Sequence, residues 1–510
     1  MKLNRLHIGE FKNLKDIEIT FAYPYTVLVG QNGSGKSNIY EALVSIFDSL
    51  ECKRIAPFRY ELEYDCRDWH VRIDSDPDRS EQKTLFFVIP SGPDHPQKLL
   101  TPGHFYRLAR DPDSGLLPEL IFGYYSGFCD RFKKPFEKYR RSYTRKVREP
   151  DKGKVPSRRF LYGSLDYADL LMVALYAHQL QEGGRSAILD ALGIDGVVNV
   201  TLFLKTPPGY NREKHDPRSM GLKGITRELM GHLDFFAPAE KVPGNAKGTH
   251  VSFPDPGLKS LADFATRRGT NLFNVLLQAQ EEGVLPSLNC NLALRSGRQI
   301  TYNELSEGEK QLLLVMGMMR FAEHKEALFL LDEPDTHLNP RWSIDYIGTI
   351  AKEFGHKPKS HIILATHDPL VLTELDAPEV QILARDEQTG RVTITPCPYP
   401  PKEMGVDGLL TSPLFGLRAA IGTPVQEIIN ERAILLAKGD DATPDDLTRL
   451  SDITKKLDGM GYANVFADPI YNQFVAAMGK RPEFMKPVLT PTEMAEQERF
   501  AEQNLVHCKT

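Results

Sequence analysis

The sequence predicts an α/β protein with a mixed sheet built around a phosphate-binding loop, interrupted by a mostly helical insertion and followed by a helical C-terminal extension. Three stretches carry that expectation. The octet Gly30-Gln31-Asn32-Gly33-Ser34-Gly35-Lys36-Ser37 lies between an apolar run at 26–29 and a helical stretch at 38–47. Leu328-Phe329-Leu330-Leu331 reads as a buried strand that ends in Asp332-Glu333. His361-Ile362-Ile363-Leu364-Ala365-Thr366 reads as another, ending in His367-Asp368. The boundaries expected are 1–128 for the first part of the sheet lobe, 129–287 for the insertion with its basic segment, 288–400 for the second part and 401–510 for the extension.

The octet has the strand, loop and helix setting that phosphate binding requires. Gly30, Gly33 and Gly35 let the backbone turn its N–H groups inward, and the helix N-terminus behind them favours negative charge. Lys36 would reach the β- and γ-phosphates of a nucleotide, and the Ser37 hydroxyl would ligate magnesium. Gln31, Asn32, Ser34 and Asn38 belong to the same nucleotide-binding turn.

Composition bounds the rest. A chain of 510 residues is too long for one ordinary core. Its net charge of −5 argues against a protein that coats nucleic acid everywhere, yet permits a local basic surface. The six cysteines lie far apart with no C-x-x-C pair, so neither a disulfide framework nor a zinc site is expected. The first ten residues lack the apolar core of a signal peptide, and no uncharged apolar stretch approaches the roughly 18 residues of a membrane span. A soluble, cytoplasmic protein without a membrane partner is the expectation.

In chain order, 2–8 and 15–21 alternate apolar and polar residues around a turn, Phe11-Lys12-Asn13-Leu14. Lys12 and Asn13 are candidate neighbours of the nucleotide, or simply an ordinary polar turn. Strand-like runs follow between 58 and 90, and Leu120-Ile121-Phe122-Gly123-Tyr124-Tyr125-Ser126-Gly127 reads as a buried strand emptying into a loop. From Arg131 to Arg159 there are 13 Lys or Arg against three acids, interleaved with Phe132, Phe136, Tyr139 and Tyr143. Cations beside rings suit nucleic acid or a phosphate-rich partner, while a solvated helix and linker face is the simpler reading and stands ahead of it. Helices are expected at 165–193, 219–236 and 257–283, a strand at 197–204, an exposed loop at 206–217 and a Pro/Gly-rich connection at 237–256. No heptad repeat is sustained, so the insertion reads as a compact lobe rather than a coiled-coil arm.

A second block opens at 301, where Leu305-Ser306-Glu307-Gly308-Glu309-Lys310-Gln311 introduces a strongly apolar helix. Ser306 and Gly308 stand at its start, an anion-binding position. Ser306 with Glu309 also has the spacing of a capping box. Asp332, at the end of its strand, is placed to hold magnesium, and Glu333 to act on the attacking water. A histidine at the end of the next strand, His367, can hydrogen-bond the γ-phosphate and the water.

This order of motifs resembles the ATP-binding-cassette (ABC) ATPase head of the RecF/SMC/OLD group. The Lys36-Ser37-Asn38 continuation and the Phe11-Lys12-Asn13 turn are closer to that group than to transporter cassettes. The resemblance implies ATP and Mg2+ as ligands, Ser37 and Asp332 on the metal, Glu333 and His367 as catalytic groups, and Ser306 and Gly308 on the γ-phosphate of ATP held by an opposite subunit. That last role implies a head-to-tail homodimer, with higher oligomers open. The glutamine that joins the two lobes in such heads is not assigned. Tyr124-Tyr125-Ser126-Gly127, the modest insertion and Ala467-Asp468-Pro469-Ile470-Tyr471-Asn472-Gln473-Phe474 resemble PtuA-type ATPases of Septu and retron-associated antiphage systems. Membership would imply an HNH nuclease partner of PtuB type and, in retron versions, a reverse transcriptase with its RNA-linked DNA.

The last 110 residues bear on one alternative. OLD nucleases carry a Toprim metal site with a strand-end Glu. Here Ala433-Ile434-Leu435-Leu436-Ala437 is followed by Lys438 where that acid would stand, and no second acidic strand follows. The tail is therefore expected to be helical and without a nuclease site, with Thr490-Pro491-Thr492-Glu493 capping a last helix. The expected function is an ATPase subunit that gates an associated effector. The competing reading is a RecF-like repair ATPase that binds DNA without a nuclease partner.

Overall fold

The computed structural model describes all residues except 23, 92–95, 110–114, 128–132, 148–157, 206–221, 237–247, 254, 323–324, 355–358, 387, 413, 416–422, 440–441, 460–495, 498 and 501–510. Contacts divide the chain into two units, Met1–Tyr399 and Pro400–Thr510.

In the first unit the strands are β1 (Lys2–Phe11), β2 (Leu14–Thr20), β3 (Tyr25–Gly30), β4 (Tyr60–Cys66), β5 (Trp69–Ser75), β6 (Thr84–Pro90), β7 (Lys98–Leu100) and β8 (Leu120–Tyr125). They continue with β9 (Phe160–Gly163), β10 (Ile194–Lys205), β11 (Gly248–Phe253), β12 (Ser287–Leu294), β13 (Gln299–Thr301), β14 (Ala327–Asp332), β15 (His361–Ala365), β16 (Val380–Arg385) and β17 (Val392–Pro396). The sheet that matters for chemistry runs in the order β17-β16-β3-β15-β14-β8-β9. Every pairing in it is parallel except that of β17 with β16. Its central strands β14 and β15 are buried throughout and apolar apart from Asp332 and His361 at their ends, as suits strands covered on both faces.

An antiparallel sheet, β2-β1-β4-β5-β6-β7, forms a second layer. Between the two lies the helix Lys36–Glu51 that follows the phosphate loop. Leu6, Ile8 and Leu62 of one sheet, Ile39, Leu43 and Phe47 of the helix, and Leu328, Leu330 and Ile363 of the other share one core. The Tyr40 hydroxyl of that helix, fully buried, donates to the carbonyls of Leu331 (3.1 Å) and Ile363 (3.2 Å), which fixes the helix against β14 and β15.

The insertion is richer in strands than its sequence suggests. β10 and β11 join β12 and β13 in a four-stranded antiparallel sheet, order β11-β10-β12-β13. β11 falls where a Pro/Gly-rich connection was expected, because backbone pairing to β10 from Val200↔Phe253 to Lys205↔Gly248 outweighs that composition. Helix Ala168–Glu182 packs closely on helix Glu307–Phe321, where a Cβ on Gly317 would lie 3.1 Å from Leu175. The loop expected at 206–217 lies outside the described residues.

The basic stretch contains a helix, Lys133–Val147. Its rings turn inward. Phe136 is 2% and Tyr143 5% exposed, Tyr139 packs at 4.9 Å on Phe160, and the Arg158 guanidinium lies 4.5 Å over Tyr143. Arg158 is itself buried and forms a bidentate pair with Glu281 (2.6 and 2.8 Å). Lys134, Lys138, Arg141 and Arg145 stay on the exposed face. Residues 131–132 and 148–157 of the basic stretch lie outside the described residues.

The second unit contains helices Gly405–Thr411, Thr423–Ala437 and Pro444–Gly459. The last two pack through Leu435, Ile453 and Leu457. Arg449 pairs with Glu431 (2.6 Å), and Lys438 with Asp446 (2.7 Å). Residues 433–437 thus belong to a helix, not to a strand of Toprim kind. The stretches 467–474 and 490–493 lie outside the described residues. Among the described residues no helix is long and apolar enough to cross a membrane.

His361 shows how tightly the first unit is sealed. It is fully buried at the start of β15, its Nδ1 accepts from the Leu3 N–H (2.9 Å) and its Nε2 lies 2.9 Å from the Ala22 carbonyl. The ring is therefore the neutral Nε2–H form, and burial pushes its pKa down to about 3. The unfolded chain takes up this proton near pH 6.5, so the stability the group contributes is full above that pH and is lost as pH falls towards 3. Chemical denaturation at stepped pH should show a loss of about 1.4 kcal/mol per unit between pH 6 and 4 from this residue. A His361→Gln variant should lack that component of the slope.

Candidate functional site

The phosphate loop, the carboxylates and the histidine meet because β3, β15 and β14 are parallel neighbours. Ala365 pairs with both Leu28 and Asp332, so the three strands end on one edge of the sheet. Each functional side chain leaves from that edge.

The loop is shaped to exclude side chains. A Cβ on Gly30 would come 2.2 Å from the Leu383 carbonyl oxygen, and Gly35, with φ of 103°, would meet Leu14 at 2.8 Å. Gly33 also has positive φ (81°). Asn13 donates to the Gly33 carbonyl (3.2 Å) and accepts from Asn38 (2.6 Å), so the β1–β2 turn braces the loop. Lys12 goes elsewhere, pairing with Glu41 on the helix behind the loop. The Ser34 hydroxyl is buried without a hydrogen-bond partner, an orphan polar atom inside the cradle. Gln31 and Asn32 are exposed at the tip. The Lys36 ammonium folds over the loop to the Gly30 and Gln31 carbonyls. Burial lowers its pKa, opposed by Asp332 and Glu333.

Ser37 donates its hydroxyl to Asp332 Oδ2 at 2.5 Å. Asp332 is 2% exposed, and burial pushes its pKa up to about 6 despite that hydrogen bond. Glu333, the next residue, behaves oppositely. Its carboxylate lies 2.8 Å from His367 Nε2, and that bond holds its pKa below the usual range. Glu333 has a positive φ of 54°, rare for a residue with a Cβ. Its N–H donates to the Ala365 carbonyl (2.8 Å), while its own carbonyl accepts from Thr336 Oγ1 (2.8 Å) and Gln311 Nε2 (3.4 Å).

Ser306 caps the helix Glu307–Phe321 in a full capping box with Glu309. Its hydroxyl lies 2.8 Å from Glu309 Oε2 and 3.3 Å from the Glu309 N–H. A Cβ on Gly308 would approach the His337 carbonyl oxygen to 2.3 Å, so this helix start is wedged on the loop that follows Glu333. Within one chain Ser306 has its own partner in Glu309. At the end of β8, Ser126 donates its N–H to the Asp332 carbonyl (3.2 Å), and its hydroxyl lies 3.1 Å from Thr336 Oγ1.

Three residues near the site carried no sequence motif. Gln311 is fully buried on the apolar helix and reaches the Glu333 carbonyl. Asp335, 6% exposed, accepts from the fully buried Thr366 (2.6 Å). A lone polar residue on the buried face of an apolar helix was the only available signal for Gln311; Asp335 and Thr366 had none.

The residues fit magnesium-bound nucleotide. A side chain at Gly30 or Gly35 would collide with its surroundings, the buried Ser34 hydroxyl between them has no partner among the described residues, and the Ser37 hydroxyl and the Asp332 carboxylate stand together at the end of the loop. Among the described residues no group of three or more His, Cys, Asp or Glu could hold a metal ion.

Two family models match separate parts of the chain: "AAA ATPase domain" over residues 1–86 and "AAA domain, putative AbiEii toxin, Type IV TA system" over 291–373. The chain is 31% identical over 138 residues to the Septu protein PtuA of Bacillus mycoides, covering 27% of this chain and 19% of that protein. It is 28% identical over 101 residues to the "Retron Vc95 probable ATPase" of Vibrio cholerae, covering 18% and 19%. It is 45% identical over 64 residues to the DNA replication and repair protein RecF of a Synechococcus strain, covering 12% and 16%. The chain thus spans about a fifth of the length of the curated relatives it matches. A solved SMC head domain from Thermotoga maritima aligns with 78% of this chain and 99% of its own at 14% identity and a TM-score of 0.31. The two family models cover the stretches that build the phosphate loop and the carboxylate strand, and with the PtuA, retron ATPase and RecF likenesses they support an ABC-type ATPase of the RecF/SMC/OLD group.

Proposed function

We propose that the chain binds and hydrolyses ATP as the nucleotide-driven subunit of an antiphage defence complex of PtuA kind, dimerising head to tail around ATP and regulating an associated HNH nuclease. The observation that carries the hydrolytic part is the Glu333–His367 contact of 2.8 Å beside the Ser37–Asp332 contact of 2.5 Å. The loop N–H groups and Lys36 would hold the phosphates, while Ser37 and Asp332 would hold Mg2+. When bound, that ion would supply positive charge that offsets the negative charge of the phosphates. Glu333 stays ionised because His367 stabilises its charge, so it can accept a proton from the attacking water, and His367 sets its direction. Ser306 and Gly308 would meet the γ-phosphate held by a second subunit. ATP then becomes the joint between subunits, and nucleotide state becomes subunit arrangement. The likeness to PtuA and to a retron ATPase supports the defence setting. In a retron setting a reverse transcriptase and its RNA-linked DNA join the complex.

A RecF-like DNA-binding ATPase is the second reading. It is favoured by the helix Lys133–Val147, whose inward rings leave Lys134, Lys138, Arg141 and Arg145 to face solvent. Such a face contacts backbone phosphates rather than stacked bases.

Three outcomes test these readings. Glu333→Gln protein tagged at its native locus and purified with ATP should retain nucleotide and bring down a small HNH protein; recovery of a bare dimer on duplex DNA favours the RecF-like reading instead. Replacing Lys134, Lys138, Arg141 and Arg145 with Gln should flatten the dependence of log K on log salt for duplex DNA by about 3 to 4, measured by anisotropy, if the helix binds DNA. Asp332→Asn should raise stability at pH 7.5 by about 2–3 kcal/mol without nucleotide. The sign follows from the raised carboxyl pKa of about 6 in the fold: ionising Asp332 above that pH costs folding energy. Denaturant titrations should show the gain vanishing below about pH 4, while ATP turnover is lost.

A further inference from the structure

We infer that Asp335 and Thr366 form a buried clamp that positions His367 against Glu333. The inference deepens the proposed hydrolytic function and rests on it. Thr366 follows the last residue of β15 and directly precedes His367, and its side chain is fully buried. Its hydroxyl donates to Asp335 Oδ2 at 2.6 Å and accepts from the Asp368 N–H at 2.8 Å. The two residues flanking His367 are thus tied to one another, and Thr366 ties them to the turn that follows Glu333. Asp368 in turn caps the next short helix through the Leu370 N–H (2.9 Å).

The geometry separates two tasks. Glu333 is set by its own backbone, through the Ala365 carbonyl and Thr336. His367 is 39% exposed in its side chain, so its direction depends on its contact with Glu333 and on the backbone on either side of it. A hydroxyl that donates one way and accepts the other defines that backbone, provided that its acceptor is itself fixed. Asp335 is so fixed, being buried between the two turns. Its Oδ1 has no hydrogen-bond partner on another residue among the described residues, and the Thr366 hydroxyl is the side-chain group that bonds this carboxyl, beside its own backbone N–H. Asp335 and Thr366 are accordingly positioning residues. They do not reach the reacting atoms, and their influence passes through His367.

The test is a double-mutant cycle read in steady-state ATP turnover and nucleotide affinity. Thr366→Val should lower kcat about tenfold, the size expected when an aligned proton-handling group is loosened, with ATP affinity changed less than threefold. Thr366→Ser, which keeps the hydroxyl, should stay within twofold to threefold of the parent. In a His367→Ala background, Thr366→Val should cause no further loss, since the group it positions is gone. Equal losses in both backgrounds, or failure of Ser to rescue, overturn the clamp. Should Thr366→Val leave the Asp335 carboxyl unpaired and the protein unfolded, Thr366→Val with Asp335→Leu replaces the whole pair by apolar groups and carries the same cycle. Lys36→Ala turnover is the reference: if the parent shows no turnover above it, the hydrolytic reading and the clamp fall together. If turnover depends on Lys36 and the cycle is additive, the clamp alone falls.

Discussion

The parallel register of β3, β15 and β14 is the constraint on which the rest of the structure depends. Adjacent strands lie about 4.8 Å apart, so placing β15 between the other two sets the distance from the phosphate loop to the carboxylates at two strand spacings. No loop flexibility is required to bring Ser37 to Asp332 or His367 to Glu333. A parallel sheet needs cover on both faces and connections that run outside it. The helix Lys36–Glu51 supplies cover and, through its first two residues, chemistry. The antiparallel sheet then buries the far side of that helix, which explains why a polar, alternating N-terminal segment belongs to the same core as the nucleotide site.

Asp332 and Glu333 illustrate how neighbouring carboxylates acquire different roles. Consecutive residues on a strand point to opposite sides, but here the strand ends, and the left-handed φ of Glu333 turns its side chain towards His367. Asp332 stays in the buried end of the sheet, where ionisation is costly until a cation arrives. Glu333 stands half in solvent beside an imidazole and is easily ionised. Environments that drive adjacent pKa values apart fit the proposed division, in which Asp332 would hold the metal and Glu333 would handle the proton. The strain at Glu333 costs on the order of 1–3 kcal/mol, and the hydrogen bonds from Thr336 and Gln311 to its carbonyl, with its own N–H on Ala365, hold it in place.

What was legible in the sequence was what is local. The glycine octet, the apolar run into Asp332-Glu333 and the run into His367 each encode an element and its end within a dozen residues, and the structure places all three on one edge. The segment 248–253 was not legible as a strand, because its partner β10 lies more than forty residues away and pairing, not composition, orders it. The aromatic residues of the basic helix recur at helical spacing, which serves a buried face as well as a stacking surface. Only the position of Phe160 decides the matter. Lys12 sits in the expected turn, yet a one-residue difference in direction gives Asn13 to the loop and Lys12 to Glu41. Asp335 and Thr366 are 31 residues apart and carry no pattern at all.

Ser306 joins the local and the intermolecular parts of the proposal. In the single chain its hydroxyl is satisfied by Glu309, as in any well-capped helix, and such a cap stabilises the helix start by about 1 kcal/mol. In the proposed dimer a γ-phosphate from a second subunit would compete with the Glu309 carboxylate for that hydroxyl, since the one hydroxyl proton cannot serve both anions fully. The dimer would therefore require Glu309 to turn away, exchanging one charge-assisted hydrogen bond, to carboxylate, for another, to phosphate. The exchange favours the dimer only when a γ-phosphate is present, because without it the cap is lost and nothing replaces it. Gly308 limits what else can move, since its contact with the His337 carbonyl ties the helix start to the turn that follows Glu333. On the proposed reading, the side chains that stabilise the isolated helix would oppose association in the absence of ATP, and the close contact at Gly308 would couple a shift of that helix to the turn that follows Glu333.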